Sequence, residues 1–140
     1  MNLSIENISK SYYEKIALDD ISFEVNSGET VGILGPNGAG KTTLFYIIAG
    51  LVRCDAGILS LSGTDLKHKS ISERTSMGLS YLPQESSIFR GLSVEENIYA
   101  ALEQRKDLDK AKKLTKLLEL LEEFNLNEFS KTLGLKLSGG

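Results

Sequence analysis

A single cysteine, Cys54, a single histidine, His68, and no apolar stretch longer than the one from Leu44 to Val52 set the first limits on this 140-residue chain. One cysteine closes no internal disulfide, and with one histidine it builds no metal cluster, which fits a reducing compartment. Cys54 is therefore read as a small structural residue. The Leu44 to Val52 run falls far short of the roughly 20 apolar residues that a bilayer-spanning helix needs. The start of the chain, MNLSIEN, has neither the basic nor the hydrophobic region of a secretory signal, so the chain is expected in the cytoplasm. Basic excess is missing as well. A formal net charge of −3 and a pI near 5.2 offer no electrostatic footprint for nucleic acid, which is not expected as a partner. Neither internal repeats nor low-complexity linkers interrupt the sequence, and its length suits one domain.

What is present is a glycine-rich loop with a defined spacing. In GPNGAGKTT, Gly35, Gly40, Lys41 and Thr42 occupy the fixed places of the pattern G, four residues, G, K, then S or T. Without a Cβ at Gly38 and Gly40 the backbone N–H groups can turn inward and form a concave anion site at a helix start. Pro36, Asn37 and Ala39 complete the cradle. Lys41 is placed to reach the β and γ phosphates as a point charge, Thr42 to give its hydroxyl to Mg²⁺, and Thr43 to support the α phosphate. The flanks agree: TVGIL, Thr30 to Leu34, reads as a short buried strand, and TTLFYIIA, Thr42 to Ala49, as an apolar helix ended by Gly50.

Around this loop the chain reads in blocks. Apolar residues alternate at Leu3 and Ile5 and again at Ile21, Phe23 and Val25, the period of half-buried antiparallel strands. Asn26 to Glu29 supply a turn, and Gly57 to Leu61 with Ser62, Gly63 and Thr64 suggest a further short strand and turn. After a polar helical stretch near Ser70 to Met77, Gly78 to Leu82 reads as a second buried strand ending in Pro83 and Gln84. The last block is helical. Ser93 with Glu96 forms a capping-box signal, and Ala111, Leu114, Leu117, Leu118, Leu121 and Phe124 are expected on one helix face, with Lys110 to Lys116 and Glu119 to Glu123 on its solvated side.

Tyr12, GPNGAGKTT, YLPQ at Tyr81 to Gln84 and LSGG at Leu137 to Gly140 occur in the order and approximate spacing of the ATP-binding subunits of ABC transporters, which the chain resembles along its whole length. That resemblance implies an α/β fold, an incomplete ABC-type P-loop ATPase core with an antiparallel β subdomain and an α-helical subdomain. Residues 1–84 would hold the β subdomain and loop core, and residues 85–140 the helical subdomain up to the signature motif. It also implies ATP and Mg²⁺ as cofactors. Lys41 and Gln84 take catalytic roles by this likeness, Thr42 and Gln84 the metal. Tyr12 would stack on adenine, with Tyr13 the neighbour that could be confused with it and packing on the sheet edge the alternative for the ring. Ser138, Gly139 and Gly140 would clamp the nucleotide of a second copy in a head-to-tail dimer. Transmembrane permease subunits are the other implied partners, placing the chain on the cytoplasmic face of the inner membrane.

Within the family, YLPQESSIFRGLSVEENI, GPNGAGKTTLFY and the DAG of Asp55 to Gly57 are most similar to the lipopolysaccharide-export branch. The alternatives are a branched-chain amino acid importer, which usually carries a VPE-like sequence at Leu82 to Gln84, and a soluble ABC ATPase. Ile88, Phe89 and Arg90 suit the gripping of a helix from a membrane subunit, or else pack under the helical block. The family's Walker B Asp, catalytic Glu and switch His follow its signature motif, and none stands in these 140 residues. His68 lies in the wrong place for the switch and reads as a surface residue. The chain as given is thus expected to resemble the front part of an ATPase, inactive in turnover alone.

Overall fold

Residues 1–84 and 87–137 are described in a computed structural model of the chain. They fall into two compact units, Met1–Tyr81 and Leu82–Gly140.

The first unit is built on a four-stranded sheet of order β2-β1-β3-β4, comprising β1 (Leu3–Tyr12), β2 (Lys15–Val25), β3 (Ala56–Leu61) and β4 (Thr64–Asp65). Every pairing is antiparallel, as the alternating apolar residues predict. Leu3 pairs with Val25 and Ile5 with Phe23 on one side, and Leu3 with Leu61 and Ile5 with Leu59 on the other. The register shifts part-way along β1, where Asn7 and Asp20 adopt φ of 52° each and Gly57 a φ of 96°. Side chains replace the lost ladder bonds: Asn7 Nδ2 donates to Asp20 Oδ1 at 2.6 Å, and the Asn7 N–H to Ser22 Oγ at 2.8 Å. Gly57 is needed there, because a Cβ would lie 2.5 Å from the carbonyl oxygens of both Glu6 and Asn7.

One helix, α1 (Lys41–Ala49), packs on this sheet through buried Leu44 and Ile47. They join Ile5, Ile8, Leu18, Leu59, Leu61 and Leu66 in a single core cluster, each aliphatic contributing about 1.5–3 kcal/mol by burial. Gly50 ends α1 in a left-handed conformation, φ 89°, with its N–H donating to Ile47 and Tyr46. The short helix α2 (Ile71–Ser76) starts at a complete capping box formed by Ser70 and Glu73.

Two sequence expectations are corrected here. Neither Thr30 to Leu34 nor Gly78 to Leu82 forms a strand. Ile33 and Leu79 touch the core, but Val31 is 48%, Leu34 95% and Leu82 87% exposed. Buried parallel strands require ladder partners and apolar cover on both faces, and among the described residues no segment supplies them. Beside the packing of α1 on the sheet lies an apolar cleft of about 420 Å³, lined by Phe23, Val31, Ile33, Phe45, Leu79 and Tyr81 among others.

The second unit holds α3 (Val94–Glu103), opened by the Ser93 and Glu96 capping box, and α4 (Lys110–Glu123), capped by Asp109. Their cluster is Val94, Leu102, Leu117 and Leu121, with Leu120 packed against it. The expected α4 stripe is rotated. Leu117 and Leu121 are buried as expected, but Leu114, Leu118 and Phe124 are 46%, 65% and 62% exposed, and Leu120, outside the expected stripe, packs against the cluster. Two short 3-10 turns, Asn127–Phe129 and Gly134–Lys136, follow.

Candidate functional site

The loop from Gly35 to Gly40 joins an unpaired extended segment to α1, and its shape follows from its glycines. Gly38 and Gly40 sit at φ 81° and 85°, in the left-handed region that side chains avoid. Gly40 is constrained twice over: a Cβ would stand 2.1 Å from the Ala17 carbonyl oxygen and 2.8 Å from Leu18 Cδ2. The loop therefore rests directly on β2. At the start of α1 Gly40 is the N-cap, no side chain caps the helix, and its first turn holds no acidic residue. The free N–H groups and the positive end of the helix dipole consequently point at the loop's concave side.

Lys41 closes this cradle. Its Nζ donates to the carbonyl oxygens of Gly35 and Pro36, both at 2.7 Å, which holds the ammonium across the loop. Thr42 is exposed in the first turn and Thr43 half-buried, while Pro36, Asn37 and Ala39 are exposed. A positive point charge, a ring of backbone donors and a free hydroxyl within one turn of helix form a donor set that suits a polyphosphate.

Tyr12 lies at the end of β1, opposite Lys15 in the hairpin, and is 43% exposed. Because Gly40 packs on Ala17, the same hairpin that carries Tyr12 also supports the loop. Lys10 Nζ lies 5.4 Å from the Tyr12 ring centroid. Tyr13 is fully exposed in the hairpin turn at φ 54°.

The opposite end of α1 is fixed by a residue that the sequence reading passed over. Arg74, 5% exposed, donates to four backbone carbonyls: Ile47 at 2.7 Å, Ile48 at 2.8 Å, Leu66 at 2.6 Å and Lys69 at 3.0 Å. Two of these belong to the last turn of α1, which has no basic residue of its own: Ile47, which also accepts from Gly50, and Ile48. Burial pulls the Arg74 guanidinium below its ordinary pKa, and the neighbouring Cys54 and Asp65 push it back up. A lone arginine in a polar helical stretch gave no pattern by which to single it out.

In the second unit Gln84 is exposed at the head of the segment that leads to α3. Ile88 and Phe89 are 42% and 63% exposed and stand outside that unit's buried cluster, Ile88 Cδ1 lying beside Gly134. Asn97 shapes the segment: its Oδ1 accepts from the Phe89 N–H at 2.7 Å, and its Nδ2 donates to the carbonyls of Phe89, Leu92 and Ser93. Ser138, Gly139 and Gly140 lie outside the described residues. His68 is on the surface, as expected, and Cys54 is a half-buried free thiol. Among the described residues no helix is long and apolar enough to cross a membrane.

Residues 18–140 match the family described as ABC transporter. The chain belongs to the ABC transporter family. Similar curated proteins include the lipopolysaccharide export system ATP-binding protein LptB of Haemophilus influenzae, 50% identical over 99% of this chain and 57% of that protein. LptB of Escherichia coli K12 is 44% identical with the same coverage. This ABC chain thus spans 57% of the length of those relatives. Among solved structures, an ATP-binding subunit of an ABC transporter matches with a TM-score of 0.83 and 29% identity, over 99% of this chain and 56% of that one. The ATP-binding cassette MJ1267 in its ADP conformation matches with a TM-score of 0.79 and 28% identity, over 99% of this chain and 60% of that one. The fold is accordingly that of an ABC ATPase cassette, of which the chain carries an incomplete core.

Proposed function

We propose that this chain is the nucleotide-binding front part of an ATP-hydrolysing subunit that powers lipopolysaccharide export. The observation that carries the nucleotide reading is the Gly35 to Lys41 cradle, in which left-handed glycines, uncapped N–H groups and the Lys41 ammonium converge at one helix end. Its chemistry fits the triphosphate of ATP. Lys41 gives up a loop carbonyl to meet the β and γ phosphates, the N–H groups from Gly38 to Thr43 hold the remaining oxygens, and Tyr12 stacks on adenine. Thr42 and Gln84 would hold Mg²⁺, which when bound neutralises charge building on the phosphates. Ser138, Gly139 and Gly140 would complete the nucleotide site of a second copy in a head-to-tail dimer.

The cargo reading rests on the identity to LptB, 50% over 99% of this chain. Exposed Ile88, Phe89 and Arg90, on a segment fixed by Asn97, give a surface for a helix of a transmembrane subunit, so the protein would work from the cytoplasmic face of the inner membrane. The test uses the full-length protein reconstituted in lipid vesicles with its permease subunits. Lipopolysaccharide is expected to stimulate Mg²⁺-dependent ATP turnover, whereas branched-chain amino acids leave it unchanged. Stimulation by the amino acids alone would replace the exporter by an importer, and absence of ATP binding would remove the nucleotide reading itself.

A further inference from the structure

One charged pair stands beside Tyr12 without a role in the phosphate cradle. Asp55, immediately before β3, uses both carboxylate oxygens on the end of β1: Oδ1 accepts from Lys10 Nζ at 2.5 Å and Oδ2 from the Ser11 N–H at 2.8 Å. Its own N–H donates to the Ser9 carbonyl at 2.9 Å. The side chain of Lys10 is only 16% exposed, and the ammonium that Asp55 holds is the one lying 5.4 Å from the Tyr12 ring centroid. A cation on one face of an aromatic ring is attracted by its quadrupole and fixes the ring against it. The other face then becomes the stacking surface.

We propose that Asp55 and Lys10 are positioning residues for the nucleobase: Asp55 anchors Lys10, and Lys10 steadies the Tyr12 ring so that its free face meets a purine. This rests on the reading of the site as a nucleotide site with Tyr12 at the base. The pair belongs to base recognition and not to phosphate binding, since its bonds all end on β1 and none on the Gly35 to Lys41 loop.

Titration calorimetry on the full-length protein with Mg²⁺ separates these parts, using ATP as one probe and inorganic tripolyphosphate as the other. Asp55→Asn and, independently, Lys10→Met are each expected to raise Kd for ATP about threefold, the size of an exposed pair acting through a ring. Kd for tripolyphosphate should stay as in the wild type. In a Tyr12→Ala background neither substitution should weaken ATP further, because the partner through which they act has gone. A parallel loss of tripolyphosphate, an undiminished effect in the Tyr12→Ala background, or unchanged ATP affinity would each overturn the proposal. Should Tyr12→Ala itself leave ATP affinity intact while tripolyphosphate binds, the base lies elsewhere and the pair has no such role. Failure of the wild type to bind either probe instead removes the nucleotide reading.

Discussion

At the scale of single residues, Arg74 and Gly40 carry the sharpest consequences. Arg74→Met would leave the half-buried carbonyls of Ile48 and Lys69 without a donor, and those of Ile47 and Leu66 with only the N–H groups of Gly50 and Lys69. Carbonyls left without a donor are costly, so a loss of about 2–3 kcal/mol is expected, read from chemical denaturation of the full-length protein. Arg74→Lys should restore only part of it, because an ammonium lacks the planar fork that serves acceptors on three sides. Gly40→Ala acts differently. Its new Cβ would meet the Ala17 carbonyl at 2.1 Å and force the loop off β2, so ATP binding should disappear in calorimetry. Lys41→Ala should weaken ATP binding at least about tenfold while leaving the melting temperature near that of the wild type, since its bonds are made to exposed loop carbonyls.

Among the elements, the helix caps respond to pH. Glu73 accepts from the N–H and hydroxyl of Ser70 and pairs with Lys69, which together lower its carboxyl pKa from 4.5 to about 2. A folded pKa below the unfolded one means stability that is fully present above pH 4.5 and lost as the pH falls towards 2. Glu73→Gln should therefore lower the melting temperature at neutral pH, and the gap to the wild type should close in that acidic window. The Ser93 and Glu96 cap was legible in the sequence, because Ser, two residues and Glu is a local signal, whereas the equal spacing of Ser70 and Glu73 was passed over inside a polar helical stretch. The hairpin of β1 and β2, α1 with its Gly50 stop and the phosphate cradle were legible, like the Ser93 cap, from local signals. Less was legible where neighbours decide. The α4 stripe turned because Leu114, Leu117 and Leu118 are equally apolar in sequence, and only packing against α3 selects Leu117. Arg74 and Asn97 stayed hidden because their partners are backbone carbonyls and amides, which leave no mark in the side-chain pattern.

For the whole molecule, the two expected core strands show what a local pattern leaves unsaid. Thr30 to Leu34 has the composition of a buried strand, yet a strand is a relation between segments, and Leu34 remains 95% exposed without one. The cleft beneath it, about 420 Å³ and largely apolar, is expected to take up hydrophobic dyes. Anilinonaphthalene sulfonate should fluoresce on the isolated chain and elute with self-associated material in size exclusion.

The kink at Asn7, Asp20 and Gly57 has a further effect on how the sheet is assembled. Sliding β3 along β1 by two residues keeps each side chain on its own face, so face preference alone does not forbid it. Such a slide would put Asp55 or Leu59 where Gly57 stands, bringing a Cβ to 2.5 Å from the Glu6 and Asn7 carbonyl oxygens. A misaligned β3 would meet that clash at the bulge, so Gly57 fixes the register that face preference alone leaves open.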